Sequence, residues 1–157
     1  MDIKKHEIFM KKAVEEAKKA EKIGEVPIGA VVVKGGNIIS TGYNKRETNN
    51  NALLHAEIEA IDNACKKLNS WRLMDCDLYV TLEPCPMCTG AIINSRIKKL
   101  IFSAKDPKTG SCGSVINLFE LGYNHRPEII SGVMENTCKS LLSDFFKNLR
   151  THKVHNK

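Results

Sequence analysis

The sequence predicts an α/β fold in which a mixed sheet of five strands lies between layers of helices. Segments with apolar residues at helical spacing alternate along the chain with short runs rich in β-branched residues. A Gly-Gly pair separates the first two runs, which is typical of an antiparallel hairpin. Helical segments separate later runs, so their connections are expected to cross over the sheet. One hairpin combined with such crossovers predicts a mixed sheet covered by helices.

Two amphipathic patterns predict the helices in the first half of the chain. Phe9, Ala13 and Ala17 recur at helical spacing with Lys and Glu on the opposite side, so a helix is expected over about residues 4–22. A second helix is expected from Asn51, a favourable N-cap residue, to about Leu68. Its inner face would be formed by Leu54, Ile58, Ile61 and Cys65.

Five short apolar runs predict the strands. Residues 26–33 are almost wholly apolar, and Gly35 and Gly36 separate them from the run at 38–43. The other strands are expected at residues 78–82, 99–103 and 128–131. The remaining predicted elements are a helix from Pro86 to about Ser95, a helical turn at about 115–118, and a terminal amphipathic helix marked by Leu141, Leu142, Phe145 and Leu149.

The length and composition bound the class of protein. A chain of 157 residues suits one domain over residues 1–157, with a core at about 4–150 and a basic tail at 151–157 that is expected to fray. Hydrophobic residues make up 42% and charged residues 27%, which argues against a disordered or fibrous chain. No apolar run approaches the roughly 18 residues of a membrane span, and no secretory signal pattern is present. We expect a cytoplasmic protein without a membrane partner.

The net charge of +6 permits a polyanionic partner. Residues 94–110 contain five Lys or Arg residues and one Asp, and residues 141–157 contain four such cations and one Asp. A single run of this kind is more often a solvated surface than a binding site. Two separate clusters shift the balance modestly toward a polyanionic partner.

His55, Cys85 and Cys88 are candidate zinc ligands, because Zn²⁺ prefers imidazole and thiolate donors. Six cysteines without signs of secretion indicate metal or thiol chemistry rather than disulfides. A redox pair is the alternative for Cys-x-x-Cys alone, and a structural histidine is the alternative for His55. Since the sequence has no second Cys-x-x-Cys pair, a closed four-ligand site is disfavoured. Three ligands would leave one position open for catalysis.

The predicted helix at Pro86 favours the two cysteines as ligands. Cys85 would cap this helix and Cys88 would lie on the same side, where the helix dipole favours thiolates. The spacing of His55 and Glu57 does not by itself indicate a metal site, because residues two apart on a helix do not share a face. Both residues could flank a metal only near the start of their helix.

These residues together resemble the signature of zinc-dependent nucleobase deaminases. His55-Ala56-Glu57 and Pro84-Cys85-Pro86-Met87-Cys88 match the patterns H-x-E and P-C-x-x-C. In this chemistry zinc lowers the pKa of bound water from about 15.7 toward 7, and the resulting hydroxide attacks a ring carbon that carries an amino group. The glutamate carries the water's proton to a ring nitrogen and then to departing ammonia, a transfer typically worth about 10²–10⁴ in rate.

Longer stretches are similar to the bacterial tRNA-specific adenosine deaminases over about residues 10–150. They are Glu25-Val-Pro-Ile-Gly-Ala-Val, Gly42-Tyr-Asn44, Trp71-Arg-Leu, Leu78-Tyr-Val-Thr-Leu-Glu-Pro-Cys-Pro-Met-Cys, Gly90-Ala-Ile-Ile-Asn-Ser-Arg-Ile, Lys105-Asp-Pro-Lys-Thr-Gly, Gly113-Ser, Asn124-His-Arg and Leu142-Ser-Asp-Phe-Phe. The resemblance implies a three-layer α/β/α, cytidine-deaminase-like fold and a homodimer with active sites near the subunit interface. It also implies hydrolytic conversion of adenosine to inosine at the wobble position of a tRNA anticodon.

The resemblance also assigns roles to individual residues. His55, Cys85 and Cys88 match the ligands of one Zn²⁺ per subunit. Glu57 matches the proton shuttle for hydroxide attack on adenine C6. Asn44 matches a position that contacts the flipped-out base.

Contacts with an anticodon stem-loop are expected from two segments. An anticodon loop is single-stranded enough to splay a base into a pocket, and its phosphates require basic partners. Lys105, Asp106 and Lys108 lie in the loop that this family turns toward the RNA backbone. Phe146 and Arg150 on the terminal helix are candidates for stacking and phosphate contact, with core packing as the alternative for Phe146.

The sequence departs from the family pattern at Asn51-Ala52-Leu53-Leu54, where members commonly have Asp-Pro-Thr-Ala. Asn can still cap a helix, so the fold is expected to be retained. The loop beside the pocket is expected to differ, which leaves the breadth of tRNA recognition open.

Two other functions stay open at this point. A free-base deaminase acting on guanine or cytosine would use the same zinc chemistry but would have no use for two basic clusters. A non-catalytic zinc-binding or RNA-binding module would leave Glu57 without a role.

Overall fold

The computed structural model describes residues 2–155, which form four α-helices, five strands and one short 3-10 helix. In chain order these elements are α1 (Ile3–Lys22), β1 (Gly29–Lys34), β2 (Asn37–Tyr43), α2 (Ala56–Leu68), β3 (Cys76–Leu82), α3 (Pro86–Ser95), β4 (Lys99–Ala104), the 3-10 helix (Leu118–Glu120), β5 (Glu128–Ser131) and α4 (Glu135–His155). None of the helices within the described range is long and apolar enough to span a membrane.

The strands form one mixed sheet in the order β2-β1-β3-β4-β5. Strand β1 pairs antiparallel with β2 and with β3, while β3, β4 and β5 run parallel to one another. In the register of the sheet, Leu78 of β3 lies opposite Val32 of β1 and Leu100 of β4. The predicted mixed sheet of five strands is therefore confirmed.

Helices cover both faces of the sheet and produce the three-layer α/β/α arrangement. On β1, Val32 packs into a cluster with residues of α2 and α3, whereas Val31 and Val33 pack against Phe9 of α1. This alternation follows from the period of two along a strand. On the same side as α1, Cys138 of α4 joins the buried residues at the end of β4.

A close contact between β2 and α2 sets the position of the second helix. The Ser40 hydroxyl donates a hydrogen bond to the Ala60 carbonyl at 2.7 Å. Two residues farther along β2, a Cβ on Gly42 would overlap the Ala56 carbonyl oxygen and the Ala60 amide nitrogen. The absence of a side chain at Gly42 therefore allows the first turn of α2 to lie directly against the end of β2.

The prediction that Asn51 caps the second helix is wrong, because α2 begins five residues later with His55 as its N-cap. The Asn51 side chain instead accepts a hydrogen bond from the Leu53 amide at 2.9 Å, which closes a turn within the loop. His55 has an extended backbone (φ −81°, ψ 156°), so the helix cannot include it. Leu54, predicted on the inner face of the helix, lies before it.

Other boundaries differ by smaller amounts. Strand β1 begins at Gly29 rather than at residue 26, and the 3-10 helix begins at Leu118, the last residue of the predicted turn at 115–118. Helix α4 begins at Glu135, in a polar stretch that carries no apolar periodicity. It continues through His155 and so includes the first five residues of the basic tail at 151–157, while 156–157 lie outside the described residues. The Thr151 hydroxyl supports this turn by donating to the Lys147 carbonyl at 3.0 Å.

Candidate active site

The N-termini of α2 and α3 meet below one end of the sheet. His55 is the N-cap of α2 and Cys85 is the N-cap of α3, and neither side chain is used to cap its own helix. Pro86 occupies the first position of α3, as predicted, and Cys88 follows within the first turn. Three potential metal ligands therefore project from two helix starts toward one point.

The donor atoms of His55, Cys85 and Cys88 converge closely. The His55 Nδ1 lies 3.6 Å from the Cys85 sulfur and 3.5 Å from the Cys88 sulfur. All three donor atoms lie within 4.8 Å of one another, which is compatible with coordination of a single ion. Imidazole with two thiolates is the donor chemistry that Zn²⁺ prefers, so the residues present could hold such an ion.

The two cysteines differ in their acid–base properties. The hydrogen bond from the Cys88 thiol lowers the pKa of Cys85 to about 4 against the opposing effect of burial, and the His55 ring adds to this effect. The same interaction with Cys85 raises the pKa of Cys88. The hydrogen bond with Cys85 also raises the pKa of His55. The pair therefore carries a negative charge on Cys85, which attracts a cation.

Glu57 lies beside this set without belonging to it. It is the second residue of α2, it is only 4% exposed, and it lines the pocket above the cluster. Burial raises its pKa, because the interior disfavours the charged form of a carboxyl group. A carboxyl group with a raised pKa exchanges protons nearer to neutral pH, which suits a general acid or base.

A cavity of about 470 Å³ opens above the donor cluster. This volume lies in the range of small-molecule sites. Its lining residues are Val26, Ile28, Asn44, Arg46, His55, Ala56, Glu57, Leu82, Glu83, Cys85, Lys105, Asp106, Pro107, Lys108, Thr109, Leu142 and Phe146. Cys88 is fully buried beneath it.

Asn44 lies at the end of β2 and is 6% exposed. Its amide nitrogen donates to the Val26 carbonyl at 3.3 Å, and its amide oxygen accepts from the Arg46 backbone amide at 3.2 Å. These contacts hold the amide in one orientation, while an amide group retains a further donor and a further acceptor for a ligand.

Four of the five predicted RNA-facing residues line the cavity, and the fifth does not. Lys105, Asp106 and Lys108 line one rim of the cavity, and Phe146 of α4 lines it as well. Phe146 is 41% exposed, which contradicts the alternative of plain core packing. Arg150 is exposed one turn farther along α4 and does not line the cavity.

Several lining residues were missed by sequence reasoning. Val26 and Ile28 were assigned to a strand, and they instead precede β1 and form an apolar wall. Glu83 directly precedes the Pro84-Cys85 pair, and an acidic residue in an otherwise apolar strand end was a signal of its importance. Arg46 and Leu142 gave no such signal.

Comparison with known proteins agrees with this geometry. Residues 4–150 match the family model of MafB19-like deaminases. A tRNA-specific adenosine deaminase from Bacillus subtilis (strain 168) is 53% identical over 148 residues, which cover 94% of this chain and 92% of the relative. The chain belongs to the tRNA-specific adenosine deaminase family. The predicted resemblance to this family is thereby confirmed.

Solved structures support the fold of this deaminase. A chain from a study of A-to-I editing by tRNA deaminases at the wobble position of transfer RNA superposes with a TM-score of 0.83 at 42% identity, covering 85% of this chain and 98% of that one. A guanine deaminase from Bacillus subtilis gives a TM-score of 0.61 at 45% identity, covering 67% of this chain and 66% of that one. The expected three-layer, cytidine-deaminase-like fold is confirmed.

The asymmetry between the two thiols of the deaminase gives a testable prediction. In protein kept in a chelator, we expect iodoacetamide to alkylate Cys85 before the other cysteines at about pH 6. With a pKa of about 4 Cys85 is a thiolate at this pH, whereas raised pKa values keep Cys88 and Cys112 protonated. Timed digestion and mass spectrometry would give the rate constant of each cysteine.

The pH dependence provides the critical comparison. Above its pKa the Cys85 thiolate is fully formed, so its alkylation rate should stay nearly constant from about pH 6 to 8. The variant Cys85→Ser should lack the fast reaction. A Cys85 rate that rises about tenfold per pH unit over this range would show that the thiolate pairing described here is wrong.

Proposed function

We propose that this chain is a zinc-dependent hydrolase that converts adenosine to inosine at the wobble position of a tRNA anticodon. The observation that carries the proposal is the convergence of His55, Cys85 and Cys88 beside the buried Glu57, at the base of a cavity with cations on its rim. The reaction consumes one water and releases ammonia. A tRNA substrate also favours a cytoplasmic location.

We assign one Zn²⁺ to His55, Cys85 and Cys88. Within the part of the chain that the structure describes, these three residues are the complete set of converging donors. Three protein ligands leave one tetrahedral position open, as catalytic zinc sites require. Bound there, zinc supplies Lewis-acid activation of a water molecule at neutral pH.

Glu57 and Asn44 act on the base in this proposal. Asn44 is held by Val26 and Arg46, so its remaining amide hydrogen and oxygen lone pair can orient a purine in the cavity. Glu57 takes a proton from the attacking water and delivers it to the ring nitrogen next to adenine C6. It then takes the remaining proton of the added hydroxyl and passes it to the amino group, which leaves as ammonia. The apolar wall at Val26 and Ile28 excludes bulk water from the base.

The rim of the cavity supplies the contacts with RNA. Lys105 and Lys108 are exposed and can approach phosphates. Phe146 offers an exposed aromatic face for stacking, and Arg150 extends this surface along α4. Asp106 contributes by shaping the loop, because its carboxylate accepts from the Lys108 amide at 2.9 Å and from the Thr109 hydroxyl at 2.8 Å.

We also propose a homodimer formed through the segment that contains the 3-10 helix. This segment exposes four large apolar side chains: Val115, Ile116, Leu121 and Tyr123. A groove of about 280 Å³ lies between it and α3, with Ile93 and Leu118 among its lining residues. An exposed apolar surface next to a groove can be self-complementary in a two-fold dimer.

The central test is inosine formation in a synthetic anticodon stem-loop with adenosine at the wobble position. Wild-type protein should convert this RNA, and Glu57→Gln should lower the turnover by about 10²–10⁴, because the amide cannot carry the proton. Metal content and RNA affinity should stay close to wild type. Chromatography of digested RNA would measure the product.

Small substrates assayed in parallel separate this proposal from the alternatives. Turnover of guanine or cytosine without inosine formation in RNA would identify a free-base deaminase with the same site residues. Undiminished deamination by Glu57→Gln would refute the assigned proton shuttle. RNA and metal binding without any deamination would indicate a non-catalytic module.

Salt dependence tests the phosphate contacts. The logarithm of the affinity for the stem-loop should fall linearly with the logarithm of salt concentration, and Lys108→Gln should reduce the slope by roughly 0.7. Lys66→Gln is the control, since Lys66 lies at the far end of α2 in an ion pair with Asp62. Fluorescence anisotropy would measure both slopes. A flat salt response of the wild type would contradict the phosphate contacts.

The dimer is tested by light scattering coupled to size-exclusion chromatography. Wild-type protein should elute as a dimer, and Tyr123→Asp should shift it to the monomer, because a buried unpaired charge is costly at an interface. Ile8→Asp provides the control, since Ile8 is 60% exposed on α1. A monomeric wild type, or dissociation by Ile8→Asp alone, would exclude this interface.

A further inference from the structure

Glu83 is a buried carboxylate that receives hydrogen bonds from a single loop. It lies between β3 and α3 and is 3% exposed. Its Oε1 accepts from the Asp106 amide at 3.1 Å and from the Ser114 hydroxyl. Its Oε2 accepts from the Cys112 and Ser114 amides, each at 3.1 Å. Both oxygens are therefore occupied by donors of residues 105–114, which we call the rim loop.

Additional contacts join the rim loop to the turn that carries Cys85. The Ser111 amide donates to the Pro84 carbonyl at 2.9 Å. A Cβ on Gly110 would overlap the Glu83 carboxylate and the Asp106 carbonyl oxygen, so only glycine permits this close approach. The inner side of the rim loop is thus fitted onto Glu83, and its outer side supplies Lys105 and Lys108 to the cavity.

The proposed reaction gives Glu83 no role, so the presence of a buried acidic side chain at this position needs another explanation. Among the described residues no Lys, Arg or His lies within ion-pair distance of it. A buried carboxylate without a cation is costly unless its oxygens accept hydrogen bonds, and here the loop amides supply them. The loop in turn has amides that would be unpaired without the carboxylate.

We propose that Glu83 is a positioning residue for RNA binding, which holds the rim loop in a fixed place relative to the metal-binding turn. This inference rests on the proposed function, because the loop cations matter only if a polyanion binds. A loop that is already ordered loses less entropy on binding. Because both oxygens of Glu83 are directed at the loop, its loss should weaken binding of RNA more than it slows the reaction.

The variant Glu83→Gln tests the proposal with little change in size. The glutamine side chain has only one oxygen that can accept hydrogen bonds. Its NH₂ group faces donors of the rim loop, with which it cannot form hydrogen bonds. We expect the KM for the anticodon stem-loop to rise about tenfold, the approximate value of one hydrogen bond to a charged group, with kcat changed less than about threefold. In zinc-loaded protein without RNA, the Cys112 and Ser114 amides should exchange with deuterium faster than in wild type. Zinc content should be unchanged.

Two further variants keep the test decisive. Gly110→Ala should raise KM and amide exchange in the same way, since it displaces the loop from an intact Glu83, and it serves if Glu83→Gln does not fold. Glu16→Gln is the matched control, because Glu16 is a buried carboxylate on α1 that accepts from Lys19 at 2.7 Å. It should leave KM and rim-loop exchange at wild-type values.

The outcomes distinguish the two proposals. Unchanged KM and unchanged loop exchange in Glu83→Gln would overturn the positioning role. A loss of kcat at unchanged KM would also overturn it, because this pattern indicates a role in the reaction itself. Failure of the wild type to deaminate RNA would refute the proposed function instead, and rim-loop exchange would still show whether Glu83 orders the loop.

Discussion

The close contact between Gly42 and the first turn of α2 sets the position of the whole site. Since Gly42 has no side chain, the N-terminus of α2 lies against the end of β2, where Asn44 follows two residues later. His55 and Glu57 are brought to the strand end by this contact, and β3 delivers Cys85 to the same place from the neighbouring part of the sheet. The geometry of the donor set therefore depends on strand and helix packing.

Much of this arrangement could be predicted from the sequence, because its signals are local. The Gly-Gly hairpin, the β-branched runs and Pro86 each depend on nearby residues, and the elements they predict are confirmed. The start of α2 was predicted wrongly because Asn51 has the chemistry of a cap and uses it in a loop turn instead. The relation of His55 to Glu57 was unclear from spacing for a related reason, since His55 precedes the helix and helical periodicity does not apply to it.

The positions of two loops beside the cavity could not be predicted from local sequence signals. Each loop is held by a buried carboxylate that is distant from it in the sequence. Glu83 accepts hydrogen bonds from the loop at 105–114, and Glu25 plays a similar part for the loop at 44–55, whose Arg46 lines the cavity. Glu25 is 2% exposed, and its Oε1 accepts from the amide of Thr48 at 2.5 Å and from its hydroxyl at 2.8 Å. Thr48 lies in the loop that follows Asn44. An acidic residue in an apolar segment thus indicates that another part of the chain must supply hydrogen-bond donors to it. Only the folded structure shows which loop supplies them.

The departure of this chain from the family pattern at residues 51–54 can be understood in the same terms. The Asn51 side chain closes the turn, and the Leu54 carbonyl accepts from the Lys45 amide at 3.1 Å, so the loop is held at both ends. The Lys45 ammonium also contacts Glu59 of α2 at 2.6 Å. These bonds hold His55 in the extended conformation that an N-cap needs.

The substituted side chain that differs most in character, Leu53, is 59% exposed. The departure therefore changes the surface presented beside the site and leaves the placement of His55 intact.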